Sequence, residues 1–275
     1  PGAGGVPEPE PVHRDGGGDM KVTLAMKPTN TSFIPIEAES IVPKNFLSGT
    51  DLSVWRGNRE LKLDEVFSVS VEGEADRPEE VEVVILGDDT FRLKRVGEYM
   101  DDGKITVLGD IGMHCGNFMS GGTIEIHGNA DGWLGREMAG GTILCRGDAA
   151  NYCASGYRGG RKGMTGGTVE VFGRAGHFLA ENISGGVVTV HGDAGDMAGA
   201  EMRDGTLIVH GDCSRPAANM KGGSCYVYGT AHAMLPTFKK IGTVRHEGQT
   251  LIHFTGDIAN RGKGNLFVKD YRYLD

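Results

Sequence analysis

The sequence predicts an all-β chain: a right-handed parallel β-helix, or solenoid, of about eight coils with a period near 19 residues. Three observations predict it. A glycine mark, mostly Gly-Gly or Asp-Gly, recurs with its last member at Gly103, Gly122, Gly141, Gly167, Gly186, Gly205, Gly223 and Gly242, at intervals of 19, 19, 26, 19, 19, 18 and 19 residues. After the mark, apolar and polar residues alternate, as in Thr123-Ile124-Glu125-Ile126-His127, which is the period of a strand with one buried face. Finally, 46 of 275 residues are glycine, about 17% against a usual ~7%. The G-X-Y period of collagen is absent, so the glycines are assigned to sharp corners that need φ > 0.

Laid one over another, the repeats give five apolar columns. The first is Ile105, Ile124, Ile143, Val169, Val188, Leu207, Cys225; the second is Val107, Ile126, Cys145, Val171, Val190, Val209, Val227. Beyond the strand-ending glycine come Ile111, Ala130, Ala149, Ala175, Ala194, Cys213, Ala231, and then Cys115, Leu134, Cys153, Leu179, Ala198, Ala217, Leu235. The last column is Met119, Met138, Met164, Ile183, Met202, Met220. One repeat cannot bury such a face alone, but stacked copies can.

Residues 1–19 are rich in Gly, Pro and Glu and are expected to be disordered. Residues 20–80 do not repeat and read as an N-terminal cap over an otherwise open sheet edge. Within them Val22–Met26 reads as a strand, Phe33–Ile36 as extended chain, and Pro43–Leu47 as a short helical turn. The repeat domain spans 81–242 and opens with a degenerate coil carrying Arg92, Lys94 and Arg95. The third coil carries a seven-residue insertion that gathers Tyr157, Arg158, Arg161 and Lys162. Insertions in solenoids map to loops, often on the binding face, and Arg and Tyr are favoured at interfaces. These seven residues are the partner-contact candidates; the alternatives are a plain loop excursion and solvated charge. Residues 243–275 break the repeat and read as a C-terminal cap, with strands at 250–254 and 265–269.

Net charge is −9, which argues against nucleic acid as a partner. No apolar run approaches the ~18 residues of a membrane span, and no signal-peptide core is present at the start of the sequence. The five cysteines all fall in the core columns and include no C-x-x-C pair. They read as buried free thiols in a reducing, cytoplasmic setting.

An outward column holds Leu108, His127, Arg146, Phe172, His191, His210 and Tyr228. Three histidines suggest a metal, but no carboxylate or thiolate completes a set, and the Phe and Leu suggest a surface covered by another subunit. No G-x-S-x-G, H-E-x-x-H or Walker loop occurs. The acids Asp110, Asp148, Asp193 and Asp212, with Asn129, fall at strand ends, where such residues bond backbone N–H groups. No catalytic, cofactor-binding or metal-ligating residue is assigned. The chain reads as structural or as an interaction protein, with a carbohydrate-active β-helix enzyme as the contrasting class.

The runs GDIGMHCGNFMSGGTIEIHGNADGWLGREMAGG and GDAANYCASGYRGGRKGMTGGTVEVFG resemble the C subunit of formylmethanofuran dehydrogenase, as does ILGDDTFRLKRVGEYMDDGKITVLGD. The resemblance covers roughly residues 20–260, and the repeat is similar to the C-terminal domain of the glutamate synthase large subunit. It implies a non-catalytic structural subunit of a complex that reduces CO2 and condenses it with methanofuran. The implied partners are a pterin subunit, an amidohydrolase-like subunit, a small D subunit and ferredoxin-like subunits. These would hold a molybdenum or tungsten pterin, a binuclear metal site and iron–sulfur clusters, with no cofactor bound by this chain. A bacterial formyltransferase/hydrolase complex and a glutamate-synthase-like structural domain are the alternatives within the resemblance.

Overall fold

The computed structural model describes residues 19–28, 34–157 and 159–274. Asp19 apart, the tail expected to be disordered lies outside the described residues, as do Phe33 and Arg158. The structure is mostly β. Among the described residues, helix is confined to α1 (Pro43–Phe46), α2 (Leu63–Val66) and three 3-10 turns. The strands, in chain order, are β1 (Met20–Met26), β2 (Ile36–Glu37), β3 (Ser53–Arg56), β4 (Arg59–Lys62), β5 (Phe67–Glu72), β6 (Val81–Leu86), β7 (Leu93–Lys94), β8 (Lys104–Leu108) and β9 (Thr123–Ile126). They continue as β10 (Thr142–Cys145), β11 (Thr168–Val171), β12 (Ser184–Val190), β13 (Asp204–Val209), β14 (Cys213–Ser214), β15 (Ser224–Met234), β16 (Lys239–His246), β17 (Gln249–Gly256) and β18 (Gly264–Tyr273).

Fourteen strands make one sheet, in the order β16-β17-β18-β15-β13-β12-β11-β10-β9-β8-β6-β1-β5, with β14 beside β15. The short strands β4-β3-β2-β7 make a second. From β1 to β18 the large sheet is parallel. Only its margins, β5 on β1 and β16-β17-β18, are antiparallel. Parallel neighbours cannot be joined by a tight hairpin. Here the connections carry a second ladder of their own, Ile111–Ala130–Ala149–Ala175–Ala194, continued by Cys213–Ala231.

Register follows the apolar columns. Ile105, Ile124, Ile143, Val169, Val188, Leu207 and Cys225 are successive partners, and all are fully buried. Val83 and Val22 extend this column at one end and Leu266 at the other. A slip of one residue would turn the whole column to solvent, so the alternation itself fixes the pairing. The Met119–Met220 column is likewise fully buried. Unbranched thioether chains suit this position because they fill irregular gaps beneath the corners.

Two glycines show why the corners need that residue. At Gly141, φ is +83° and an added Cβ would sit 2.8 Å from the Gly122 carbonyl oxygen. At Gly128, a Cβ would meet Asp110 Oδ1 at 2.3 Å and Gly109 carbon at 2.6 Å. The backbone approaches this closely because Gly128 N donates to Gly109 O at 3.0 Å, one repeat back.

The pattern fails at its end. Gly242 lies inside β16, in open space and outside the left-handed region, and Leu235 is only partly buried whereas its neighbour Met234 is fully so. The cause is β15. It does not turn at the expected corner but runs eleven residues to Met234, pairing with β18. The chain then folds back as the β16–β17 hairpin. At the other end, β1 is not separate from the repeats, since it pairs directly with β6.

Candidate functional site

The turns opposite the strands are built from alternating left-handed residues. In one repeat these are His114 (φ +68°), Gly116 (+67°) and Phe118 (+55°); in the next, Trp133 (+60°), Gly135 (+63°) and Glu137 (+52°). A bulky residue in this region costs about 1–2 kcal/mol. The cost is offset by hydrogen bonds between layers. The N–H groups of His114, Trp133, Tyr152 and Phe178 donate to the carbonyls of Gly132, Asn151, His177 and Asp196 at 2.8–3.0 Å.

This backbone places one large side chain per layer on a half-buried surface. His114 stacks on Trp133, Trp133 on Tyr152 and Tyr152 on Phe178, with ring centroids 5.0–5.2 Å apart. A parallel row runs beside it. Tyr99 stacks on Phe118 at 4.8 Å, and the Arg136 guanidinium lies 4.6 Å from the Phe118 ring and 5.3 Å from that of Tyr157. Offset stacks and cation–π contacts of this kind combine rigidity with exposed area.

The insertion joins this face. Tyr157 is 59% exposed and its N–H donates to Glu137 Oε1 at 3.2 Å. Arg161 and Lys162 are exposed, and Arg158 lies outside the described residues. Arg95 stands on the same face, one layer before His114. It pairs with Glu98 at 2.6 Å and Glu39 at 3.1 Å. The structure thus brings Tyr157 and Arg95 onto one surface, with Arg136 between them. The other two basic candidates have internal partners. Arg92 is buried, donating to the Ile34 carbonyl and pairing with Asp89 at 3.2 Å, and Lys94 lies 3.6 Å from Glu37. Sequence reasoning missed Arg136 and the aromatic row. The signal was present: Arg95, His114, Trp133, Tyr152 and Phe178 stand one per repeat, just before the apolar Cys115 column and its equivalents.

His114 is the perturbed titratable group here. Burial, then Arg136, Lys94 and Arg95, push its pKa down to about 4, against a weaker opposing effect of Asp131. It is neutral near pH 7.

The outward strand column forms a ladder as well. Arg146 lies 4.6 Å from the Phe172 ring, and Phe172, His191, His210 and Tyr228 stack in turn at 4.9–5.1 Å. Two of its polar members are paired sideways, Arg146 on Glu125 at 2.8 Å and His191 on Glu170 at 2.7 Å.

The strand-end acids bond backbone. Asp110 accepts from Asn129 N, Asn129 Oδ1 from Asp148 N, Asp148 from Arg174 N, Asp193 from Asp212 N and Asp212 from Thr230 N, at 2.6–2.8 Å. Asn129, Asp148 and Asp193 line a groove of about 530 Å³ along the alanine ladder. All five thiols are buried, and burial raises their pKa, to about 11 for Cys145 and about 12 for Cys115 and Cys225. They are protonated hydrophobes at neutral pH, not nucleophiles. Among the described residues, no group of three or more His, Cys, Asp or Glu side chains could hold a metal ion. This donor set does not fit a pterin metal, an iron–sulfur cluster or a binuclear site. No helix of the described residues is long and apolar enough to cross a membrane.

No family model matches the chain. It is 48% identical over 257 residues to the C subunit of the tungsten-containing formylmethanofuran dehydrogenase 2 of Methanococcus maripaludis, covering 86% of this chain and 92% of that one. The C subunit of the molybdenum-containing formylmethanofuran dehydrogenase 1 of Methanosarcina barkeri is 33% identical over 102 residues, about a third of each chain. Among solved structures, a chain of the formyltransferase/hydrolase complex (FhcABCD) from Methylorubrum extorquens, in complex with methylofuran, superimposes with a TM-score of 0.79 at 28% identity, over 90% of this chain and 98% of that one. With nearly half its residues shared across most of the length of the Methanococcus protein, this chain belongs to the family of formylmethanofuran dehydrogenase C subunits.

Proposed function

We propose that this chain is the non-catalytic, architectural subunit of a formylmethanofuran dehydrogenase complex, an assembly that reduces CO2 and condenses it with methanofuran. Its form is a right-handed parallel β-helix of about eight coils and 19-residue period, since parallel crossovers are right-handed in nearly all known cases. Residues 20–80 cap one end and the C-terminal strands cap the other. The chemistry belongs to neighbours: a molybdenum or tungsten pterin subunit, an amidohydrolase-like subunit with a binuclear metal site, a small D subunit, and ferredoxin-like subunits with iron–sulfur clusters. The aromatic turn face, with Tyr157 on it, is the surface on which partners rest, and Arg158, Arg161 and Lys162 of the insertion are proposed to contact them.

The observation that carries this reading is the 48% identity over 86% of the chain to a formylmethanofuran dehydrogenase C subunit. The occupation of the strand-end acids by backbone N–H groups supports the architectural part. The test is reconstitution. The purified chain alone is expected to turn over neither formylmethanofuran nor formate, and a complex assembled without it is expected to lose subunits on gel filtration. Turnover by the lone chain, or a complex of unchanged composition and rate without it, would reject the reading.

A second reading, the corresponding subunit of a formyltransferase/hydrolase complex, is favoured by the match over 98% of the Methylorubrum chain. Complexes purified through this chain distinguish the two: CO2-dependent reduction supports the first, and formyl transfer without reduction the second.

A further inference from the structure

Between the two aromatic rows lies a pocket of about 220 Å³, lined by Arg95, Glu98, His114, Asn117 and Arg136. Asn117 is 1% exposed and Glu98 is 7% exposed. Three polar atoms of this lining, His114 Nδ1, Asn117 Oδ1 and Arg136 Nε, are buried without a hydrogen-bond partner. Buried polar atoms are nearly always paired, so three orphans on residues that line one cavity call for a group that completes them. The ion pairs are also unevenly shared. Arg95 holds both nearby carboxylates, Glu98 and Glu39, while the Arg136 guanidinium lies over the rings of Phe118 and Tyr157 and, among the described residues, forms no ion pair.

The orphans define the missing group. Arg136 Nε–H can only donate. A neutral imidazole can carry its proton on Nδ1, and the Asn117 amide presents its NH2 after a half turn, so both can donate as well. Three convergent donors around one unmatched cation suit a small group that only accepts and carries a single negative charge. A cation is repelled by two guanidinium groups, a neutral amide leaves Arg136 unmatched, and a doubly charged phosphate would stand against Glu98. We propose that this pocket binds a carboxylate, held by Arg136 Nε–H, His114 Nδ1–H and the Asn117 amide. The carboxylate comes either from a small free acid or from an Asp or Glu side chain of a partner subunit seated on the aromatic face.

The test uses the full chain and sodium acetate as probe, at ionic strength held constant with sodium chloride. If the source is a free acid, the Arg136 Nε–H resonance moves saturably with acetate and not with chloride. Asn117→Asp, nearly isosteric but negative, binds acetate roughly tenfold or more weakly, as expected for loss of charge-assisted bonds. Arg203→Gln, outside the pocket, binds as before, and circular dichroism checks that each variant folds. If the source is a partner side chain, acetate leaves the lone chain unmoved. Assembly with the co-expressed subunits then weakens roughly tenfold or more in Arg136→Gln and less in Arg136→Lys. A resonance unmoved by acetate, together with assembly indifferent to Arg136→Gln, overturns the proposal. The architectural role would survive that result.

Discussion

Two columns of this molecule are stacked by the same register and differ in what surrounds them. Ile124, Ile143 and Val169 lie one over another with no exposure to water. Trp133, Tyr152 and Phe178 also lie one over another, 5.0–5.1 Å apart, but half-exposed and on left-handed backbone. The inner column is redundant in chemistry: any aliphatic of suitable volume fills it. The outer row is varied, with Arg, His, Trp, Tyr and Phe at equivalent places. The comparison teaches that a repeat stabilised from within is free to vary its outer face, which is where we propose that partners are recognised.

Substitutions sharpen the contrast, beginning with the largest effect. Ile143→Ala should destabilise the chain by about 3 kcal/mol, through lost burial and a cavity that the layers above and below cannot close. That is a fall in Tm of roughly 6–12 °C by differential scanning calorimetry. Gly128→Ala should cost about 2 kcal/mol, because the new methyl meets backbone of the preceding layer; chemical denaturation reads it directly. Tyr152→Ala should cost about 1 kcal/mol, most of it stacking on Trp133 and Phe178, while weakening assembly more than Ile143→Ala does. Equal stability losses at Ile143 and Tyr152 would break the comparison.

The smallest effect near neutrality is a pH dependence. Because the folded His114 pKa is lowered to about 4, the unfolded chain binds this proton first, near its ordinary value of about 6.5. The stability contribution is therefore complete above about pH 6.5 and is lost as pH falls from there toward 4. His114→Gln should flatten the urea midpoint over that window. A midpoint that rises as pH falls through it would contradict the assigned environment.

The inner columns were legible because alternation and spacing are properties of the sequence alone. Ile105 through Cys225 were read in the order in which they pair. The strand-end role of Asp110 and Asp148 was legible for a related reason, since it depends only on local turn chemistry. The end of the stack was not. Gly242 kept the 19-residue interval, but whether β15 turns or runs straight is decided by its pairing with β18, a contact across some forty residues of sequence. The candidate site was half legible. The composition of the insertion singled out Tyr157, yet nothing near it in sequence announced Arg136, which reaches its ring from the preceding layer. Arg92 was singled out by its charge as a partner-contact candidate, whereas Asp89 and the Ile34 carbonyl hold it inside.

Hydrogen–deuterium exchange on the lone chain and on the assembled complex tests the division between inner column and outer row most directly. The account predicts that β9, β10 and β11 are strongly protected in both states, while the turns around His114, Trp133 and Tyr152 gain protection only on assembly. Rapid exchange of β9–β11 in the lone chain, or turns whose exchange is unchanged by assembly, would contradict it.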